Sequence, residues 1–495
     1  MQKRDLDSVQ KAFYITTTLP YVNAEPHLGH ALEFVRADII ARWRKLQGQE
    51  VFFNTGTDEH GAKIYRKALE KGQEVQEYVN AHAEIFKKLV VALKLNEEAR
   101  FSRTTDPRHV SAAQEFWKLC FAAGDIYKKQ YTIKYCVGCE LEKTDSELED
   151  GKCPVHPSLE VELIEEENYF FRFSRFQQKL LDFYNANPHF VIPDFRFNEV
   201  KNFVREGLND FSISRLKSKM PWGVPVPGDD SQVMYVWFDA LINYISTLGW
   251  PLDSRSTSSE SIARGKPGEN LFEKFWVKGE TVQYAGKDNL RQQAAMWQAM
   301  LMSGRLPNTG QIVINGFVTA GGGLKMSKTL GNTADPMELI EEYGPDALRY
   351  FVARELSTFE DSPFTPERFK EAYNANLANG LGNLVSRVMK LAETKLPSPV
   401  EVNHQFHKTL ESFLGDFEIQ KATNHIWSEI GELDGEIQKT KPWESGDVEV
   451  IENLVKKLAH IGHSLAPFMP ETSAKILYSI GKNKSPEKPL FPRKD

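Results

Sequence analysis

The N-terminal part of the chain reads strand, loop, helix, strand, and few architectures accept that order. Phe13-Tyr14-Ile15-Thr16-Thr17-Thr18 is β-branched and aromatic, the composition of a buried strand. Leu19-Pro20-Tyr21-Val22-Asn23 interrupts it. Leu28, Leu32, Val35, Ile39 and Trp43 then recur at helical spacing, and Val51-Phe52-Phe53-Asn54 reads as a second strand. A βαβ unit of this kind belongs to a parallel sheet, whose ligands sit beyond the carboxyl ends of the strands. His27, His30 and Asp58 fall at those ends. Val233-Met234-Tyr235-Val236-Trp237 and Gln311-Ile312-Val313-Ile314-Asn315 read as further strands. From about Pro366 to near Ile480 the pattern is helical.

With 495 residues the chain is too long for one core, so two to four domains are expected. No apolar run is long enough to cross a bilayer, and no apolar segment follows the charged N-terminus as a signal peptide requires. A cytoplasmic protein is the expectation. A net charge of −7 rules out a globally basic nucleic-acid binder but not a local basic stripe.

Two motifs carry chemistry. In Pro26-His27-Leu28-Gly29-His30 two imidazoles flank a glycine at a helix start, where unpaired N–H groups and the helix dipole suit phosphate oxygens. Gly29 lets the backbone approach a ligand closely. Alone, such a motif reads more readily as two surface histidines at a helix cap. Downstream, Gly321-Gly322-Gly323 leads into Lys325-Met326-Ser327-Lys328-Thr329, a flexible loop whose two lysines can close over a departing pyrophosphate. Together, each at a strand-to-loop junction, the motifs describe a triphosphate site without a P-loop. Separately, Cys136 and Cys139, then Cys153 and His156, form two knuckles that can close a tetrahedral Zn2+ site with no open position, hence structural. Cys120 lies outside that set and reads as an apolar residue.

These residues resemble the HIGH and KMSKS signatures of the class I aminoacyl-tRNA synthetases. Across essentially the whole chain the likeness is greatest to the methionyl-tRNA synthetase family, in the subgroup with one zinc knuckle. Thr55-Gly56-Thr57-Asp58-Glu59-His60-Gly61, Val236-Trp237-Phe238-Asp239-Ala240-Leu241-Ile242-Asn243-Tyr244, Gly286-Lys287-Asp288 and Asp335-Pro336 carry it as well. The resemblance implies ATP-dependent activation of L-methionine to methionyl-adenylate and transfer to the 3′ end of tRNA(Met), initiator tRNA included, with Mg2+ on the ATP. It implies catalytic roles for His27, His30, Lys325 and Lys328. ATP would be bound by Asn23, Gly29, Gly286, Asp288 and Lys328. Methionine would be bound by Leu19, Tyr21, Asp58, Trp237, Ala240, Tyr244 and Gln293, with Asp58 on the ammonium. Asn383, Arg387 and Trp443 would read the anticodon. The chain departs from the family pattern at Gln292-Gln293, where many members have an aromatic–His pair, and at Thr329, where serine is usual.

The implied architecture is α/β: a Rossmann-type parallel-sheet catalytic domain (1–128 and 231–330) split by a zinc-bearing connective insertion (129–230). A linker (331–370) and an α-helical anticodon-binding domain (371–495) follow. The chain ends with no room for an appended dimerising domain, so a monomer is expected. The competing readings are another class I synthetase, a small-metabolite adenylyltransferase and a non-catalytic tRNA-binding paralogue.

Overall fold

A computed structural model describes residues 11–136, 141–143, 148–154, 158, 160–251, 269–320, 334–402 and 407–495. Its centre is a six-stranded, wholly parallel sheet. The strands are β1 (Phe13–Thr17), β2 (Val51–Thr57), β3 (Ala99–Arg103), β4 (Val191–Ile192), β5 (Glu280–Gly286) and β6 (Gln311–Asn315), in spatial order β3-β2-β1-β5-β6-β4. From β1 the chain winds outward through β2 and β3. The later strands fill the other side. The order therefore reverses between β1 and β5, and the crevice at that reversal is where a doubly wound sheet binds ligands.

Strand alternation explains the packing. Phe13 and Ile15 enter one apolar cluster and Tyr14 the other, and Phe53 and Phe52 divide the same way. The first cluster takes in the helix α1 (Leu28–Leu46) and continues without a break into the C-terminal helices Asn383–Lys395, Ile419–Thr440, Val448–Ser464 and Pro470–Lys482. The second joins the other face of the sheet to Trp117, Phe171, Phe238 and Trp297.

Between β3 and β5 lies an antiparallel sheet in which Ile126–Cys136 pairs with Val161–Phe171 from Ile126↔Phe171 to Cys136↔Val161. The inserted segment also returns to the central sheet, because β4 pairs with β6. That edge strand lies inside the stretch expected as a separate insertion. Two residues carry no periodic signal, so sequence patterning misses it. A second difference concerns Val233–Trp237, expected as a strand. The strand ends at Met234, and Val236–Ala240 is a short helix followed by Asn243–Ser246. Among the described residues no helix is long and apolar enough to cross a membrane.

Candidate active site

The start of α1 is built by its histidines. His27 is the N-cap, and its Nδ1 accepts from Gly29 N at 3.1 Å, while His27 N donates to His30 Nδ1 at 3.2 Å. This is a reciprocal capping box made with imidazoles in place of Ser and Glu. A ring whose Nδ1 accepts carries its proton on Nε2. Cap geometry thus presents two N–H donors beside the positive end of the helix. The rings stack at 3.8 Å, and His30 rests edge-on against Phe86 at 5.3 Å. A Cβ on Gly29 would lie 2.9 Å from His27 Cε1, so the glycine is the space into which that ring folds.

Lys325 and Lys328 lie outside the described residues. The chain on either side of their loop does not. Ala320 follows the strand Val318–Thr319, and Ala334 O accepts from Leu28 N at 3.3 Å, in the first turn of α1. Ala334 therefore lies at the histidine cap.

Asp58 continues the sheet from the end of β2. Its N donates to Pro20 O at 2.8 Å, and Val22 N donates to its carbonyl at 3.1 Å. The side chain is buried, and Oδ1 has no hydrogen-bond partner. Burial, then the charge of Asp239, pushes its carboxyl well above the ordinary range. A buried carboxylate oxygen of this kind is satisfied by an arriving cation. Tyr21 bridges to Asp58, and its hydroxyl lies 2.4 Å from where a Cβ on Gly61 would stand, at a φ of 106° that already favours glycine. Tyr244 and Gln293 meet: Gln293 Nε2 donates to the Tyr244 hydroxyl at 2.6 Å, both residues are buried, and Gln293 Oε1 is unpartnered. Ala240 is buried and Trp237 half-buried on the intervening helix. Leu19 and Asn23 are half-buried in the loop after β1.

At the end of β5, Asp288 Oδ1 would lie 2.8 Å from a Cβ on Gly286, so only glycine admits that carboxylate so close to the backbone. Across the switch point sits a residue the sequence reading missed. Glu33, buried on α1, accepts from Thr18 N at 2.7 Å and Thr18 Oγ1 at 2.5 Å. Burial raises its carboxyl to about 8, against the pull of the Thr18 bonds. Its signal was spacing: His27, His30, Glu33 and Arg36 follow one another at intervals of three along a single helix.

The zinc set is only partly visible. Cys136 ends its strand, and Cys153 is buried just after the Glu149↔Lys152 bridge. Cys139 and His156 lie outside the described residues. In the helical region Asn383 is exposed at the start of Asn383–Lys395, and Arg387, one turn on, pairs with Asp434 at 2.6 Å. Trp443 is 46% exposed in the turn Pro442–Ser445.

By fold the chain is a class I tRNA synthetase, and a family model described as tRNA synthetases class I (M) matches residues 13–161 and 147–389. The methionine–tRNA ligase of Thermosynechococcus vestitus is 39% identical over 492 residues, 95% of this chain and 90% of that one. That of Caldanaerobacter subterraneus subsp. tengcongensis is 37% identical over 495 residues, 96% of this chain and 74% of the relative. A solved structure of Mycobacterium tuberculosis methionyl-tRNA synthetase in complex with methionyl-adenylate superposes with a TM-score of 0.83 at 34% identity, covering 98% of this chain and 100% of the other. The chain belongs to the methionyl-tRNA synthetase family.

Proposed function

We propose a division of labour among these residues for a chain that is a methionine–tRNA ligase, joining methionine to tRNA at the expense of ATP. The methionine carboxylate attacks the α-phosphorus and expels pyrophosphate. A terminal ribose hydroxyl of the tRNA then attacks the adenylate carbonyl. No protein nucleophile is required, so the chain's work is alignment and charge stabilisation, and alignment can supply roughly 7–11 kcal/mol.

His27 and His30 present their Nε2–H donors, with the α1 terminus, to the phosphates. Lys325 and Lys328 neutralise the leaving pyrophosphate, a role supported by the bond of Ala334, a few residues after them, to Leu28 N beside the histidine cap. Mg2+ arriving with ATP would add further charge neutralisation on the phosphates. Glu33 and Asp288 flank the switch point as acceptors for ribose hydroxyls, with Gly286 and Asn23 at its edge. Asp58 takes the ammonium, while Leu19, Tyr21, Trp237, Ala240, Tyr244 and Gln293 enclose the thioether. The observation that carries this reading is the buried, unpartnered Asp58 oxygen beside Tyr21, at the end of β2.

Asn383, Arg387 and Trp443 are the proposed anticodon contacts, the aromatic stacking on a splayed base. Arg387 must leave Asp434 to take part. Three thiolates and one imidazole suit Zn2+, and the buried Cys153 fits a ligand position. Cys136, Cys139, Cys153 and His156 would hold it as a structural ion. The domain division at 128, 230, 330 and 370 belongs to the same reading, as do a cytoplasmic monomer and service of both initiator and elongator tRNA(Met). Amino-acid-dependent ATP–pyrophosphate exchange across the twenty amino acids tests it. Exchange with methionine is expected; exchange only with another amino acid would overturn it.

A further inference from the structure

Beneath the ammonium site lies a buried triad with no role so far. Asp239 is fully buried; His60 Nδ1 stands 2.6 Å from its Oδ2 and His109 Nε2 2.7 Å from its Oδ1. His109 Nδ1 stands 3.0 Å from Ser246 Oγ. An ionised carboxylate only accepts, so both imidazoles donate. His60 therefore carries a proton on Nδ1 and His109 one on Nε2, and the Ser246 hydroxyl donates to His109 Nδ1.

The triad's members come from elements that must act together. His60 is two residues after Asp58. Asp239 shares the helix Val236–Ala240 with Trp237 and Ala240. Ser246 shares the helix Asn243–Ser246 with Tyr244, and His109 lies on the helix Pro107–Ala122. We infer that Asp239, clamped between His60 and His109, is a positioning residue for methionine: it fixes the Asp58 arm against the thioether pocket and stands behind Asp58 as a second negative charge. This rests on the methionine reading above.

Charged and titratable groups reach this spot from each element around it. They are Tyr21 after β1, Asp58, Glu59 and His60 after β2, Tyr235 before the helix, Tyr244 on Asn243–Ser246, and His109. Glu59 is already matched by a bidentate Arg103 at 2.7 and 2.8 Å. Burial drives Asp239 upward, but its two imidazole partners hold it at about 2, so it stays ionised. Its charge opposes ionisation of Asp58 in the empty site. The arriving ammonium removes that opposition, and methionine binding displaces a proton from Asp58.

Asp239→Asn keeps the shape and removes the charge. The expected result is a rise in methionine KM of roughly tenfold or more, with a much smaller change in ATP KM. The acid limb of kcat/KM for methionine moves to lower pH, because Asp58 ionises more easily. Calorimetric titration with methionine in two buffers of different ionisation heat reads the proton release directly, and the variant releases less. His109→Gln, which retains an N–H donor to Asp239, recovers part of the methionine KM lost in His109→Ala. An unmoved acid limb with unchanged proton release, or equal losses in the two His109 variants, overturns the inference. Wild-type protein without methionine-dependent exchange sinks the methionine reading instead.

Discussion

Glu33→Gln separates the cost of a buried carboxyl from its use. Both Thr18 donors converge on Glu33 Oε1, and an amide oxygen accepts both equally well. The substitution therefore keeps both Thr18 bonds and removes the ionisation, at the cost of one acceptor towards the Gly286 backbone. A carboxyl carried from 4.5 to about 8 by burial binds its proton more tightly in the folded state than in the unfolded one. Its contribution to stability is complete below about 4.5 and is lost as pH rises towards 8, at about 1.4 kcal/mol per pH unit. By pH 8.5 wild type should lag the variant by a few kcal/mol, at most about 5. At pH 4.5 the two should match within about 0.5 kcal/mol. Urea unfolding of both proteins at intervals from pH 4.5 to 9 gives the difference directly, since every other titrating group cancels. Above pH 8, where Glu33 of the wild type is ionised, the same variant should weaken ATP use, because an acceptor facing Asp288 across the switch point becomes partly a donor. A stability difference independent of pH would refute the reasoning.

Asp58→Asn removes the proposed ammonium partner. Truncating one member of a buried charge pair costs about 2–5 kcal/mol, so kcat/KM for methionine should fall roughly 30- to 4,000-fold, and an unchanged methionine KM would contradict the assignment. Gly29→Ala pushes a methyl into the His27 ring. Steady-state exchange kinetics should show kcat reduced by roughly tenfold or more with methionine KM little altered. Arg36→Met orphans the carbonyls of Val352, Leu356, Ser357 and Thr358, which its guanidinium now bonds at 2.8–3.3 Å. At about 1–3 kcal/mol for each unsatisfied buried group, several kcal/mol should be lost, with hydrogen exchange rising first at 352–358. Elemental analysis should find one zinc per chain, and Cys153→Ser should lose it.

What the sequence disclosed follows from what leaves a local trace. β1 and β6 were legible because their β-branched and aromatic residues suit a parallel strand buried on both faces. Val191–Ile192 was not, because its place depends on β6, far along the chain. Val233–Trp237 misled because β-branched and aromatic residues serve a buried helical turn as well as a strand, and only the packing of Phe238 and Ala240 decides. His27, Gly29 and His30 were legible because a cap is local chemistry. The His60–Asp239–His109 triad was invisible: three residues on three elements share no spacing, and only the closed fold brings them within 2.7 Å. Glu33 lay between, periodic with the histidines yet indistinguishable from any helical glutamate until burial is known.

The helices beyond residue 370 are part of what holds the catalytic crevice, and the reason is burial of charge as much as apolar contact. Asp38, two residues after Arg36 on α1, is buried and pairs at 2.7 Å with the equally buried Arg349, whose remaining donors reach Leu93, Pro467 and Phe468 carbonyls. Removing the C-terminal helices would strip Arg349 of two of those acceptors and open the core that α1 shares with them. Farther along, Thr358, whose carbonyl Arg36 grips at 2.8 Å, accepts through Oγ1 from Gln420 N at 3.2 Å. Gln420 starts the helix Ile419–Thr440, whose 22 residues carry the chain about 33 Å to the turn that holds Trp443. A displacement at that turn is resisted by one stiff helix bedded on the same 352–358 segment that orients α1, and α1 begins at His27. The two proposed sites, distant as they are, are fixed to one frame of buried arginines. A boundary drawn by function near residue 370 is therefore not a boundary where contacts thin out, which is what an independently folding domain requires.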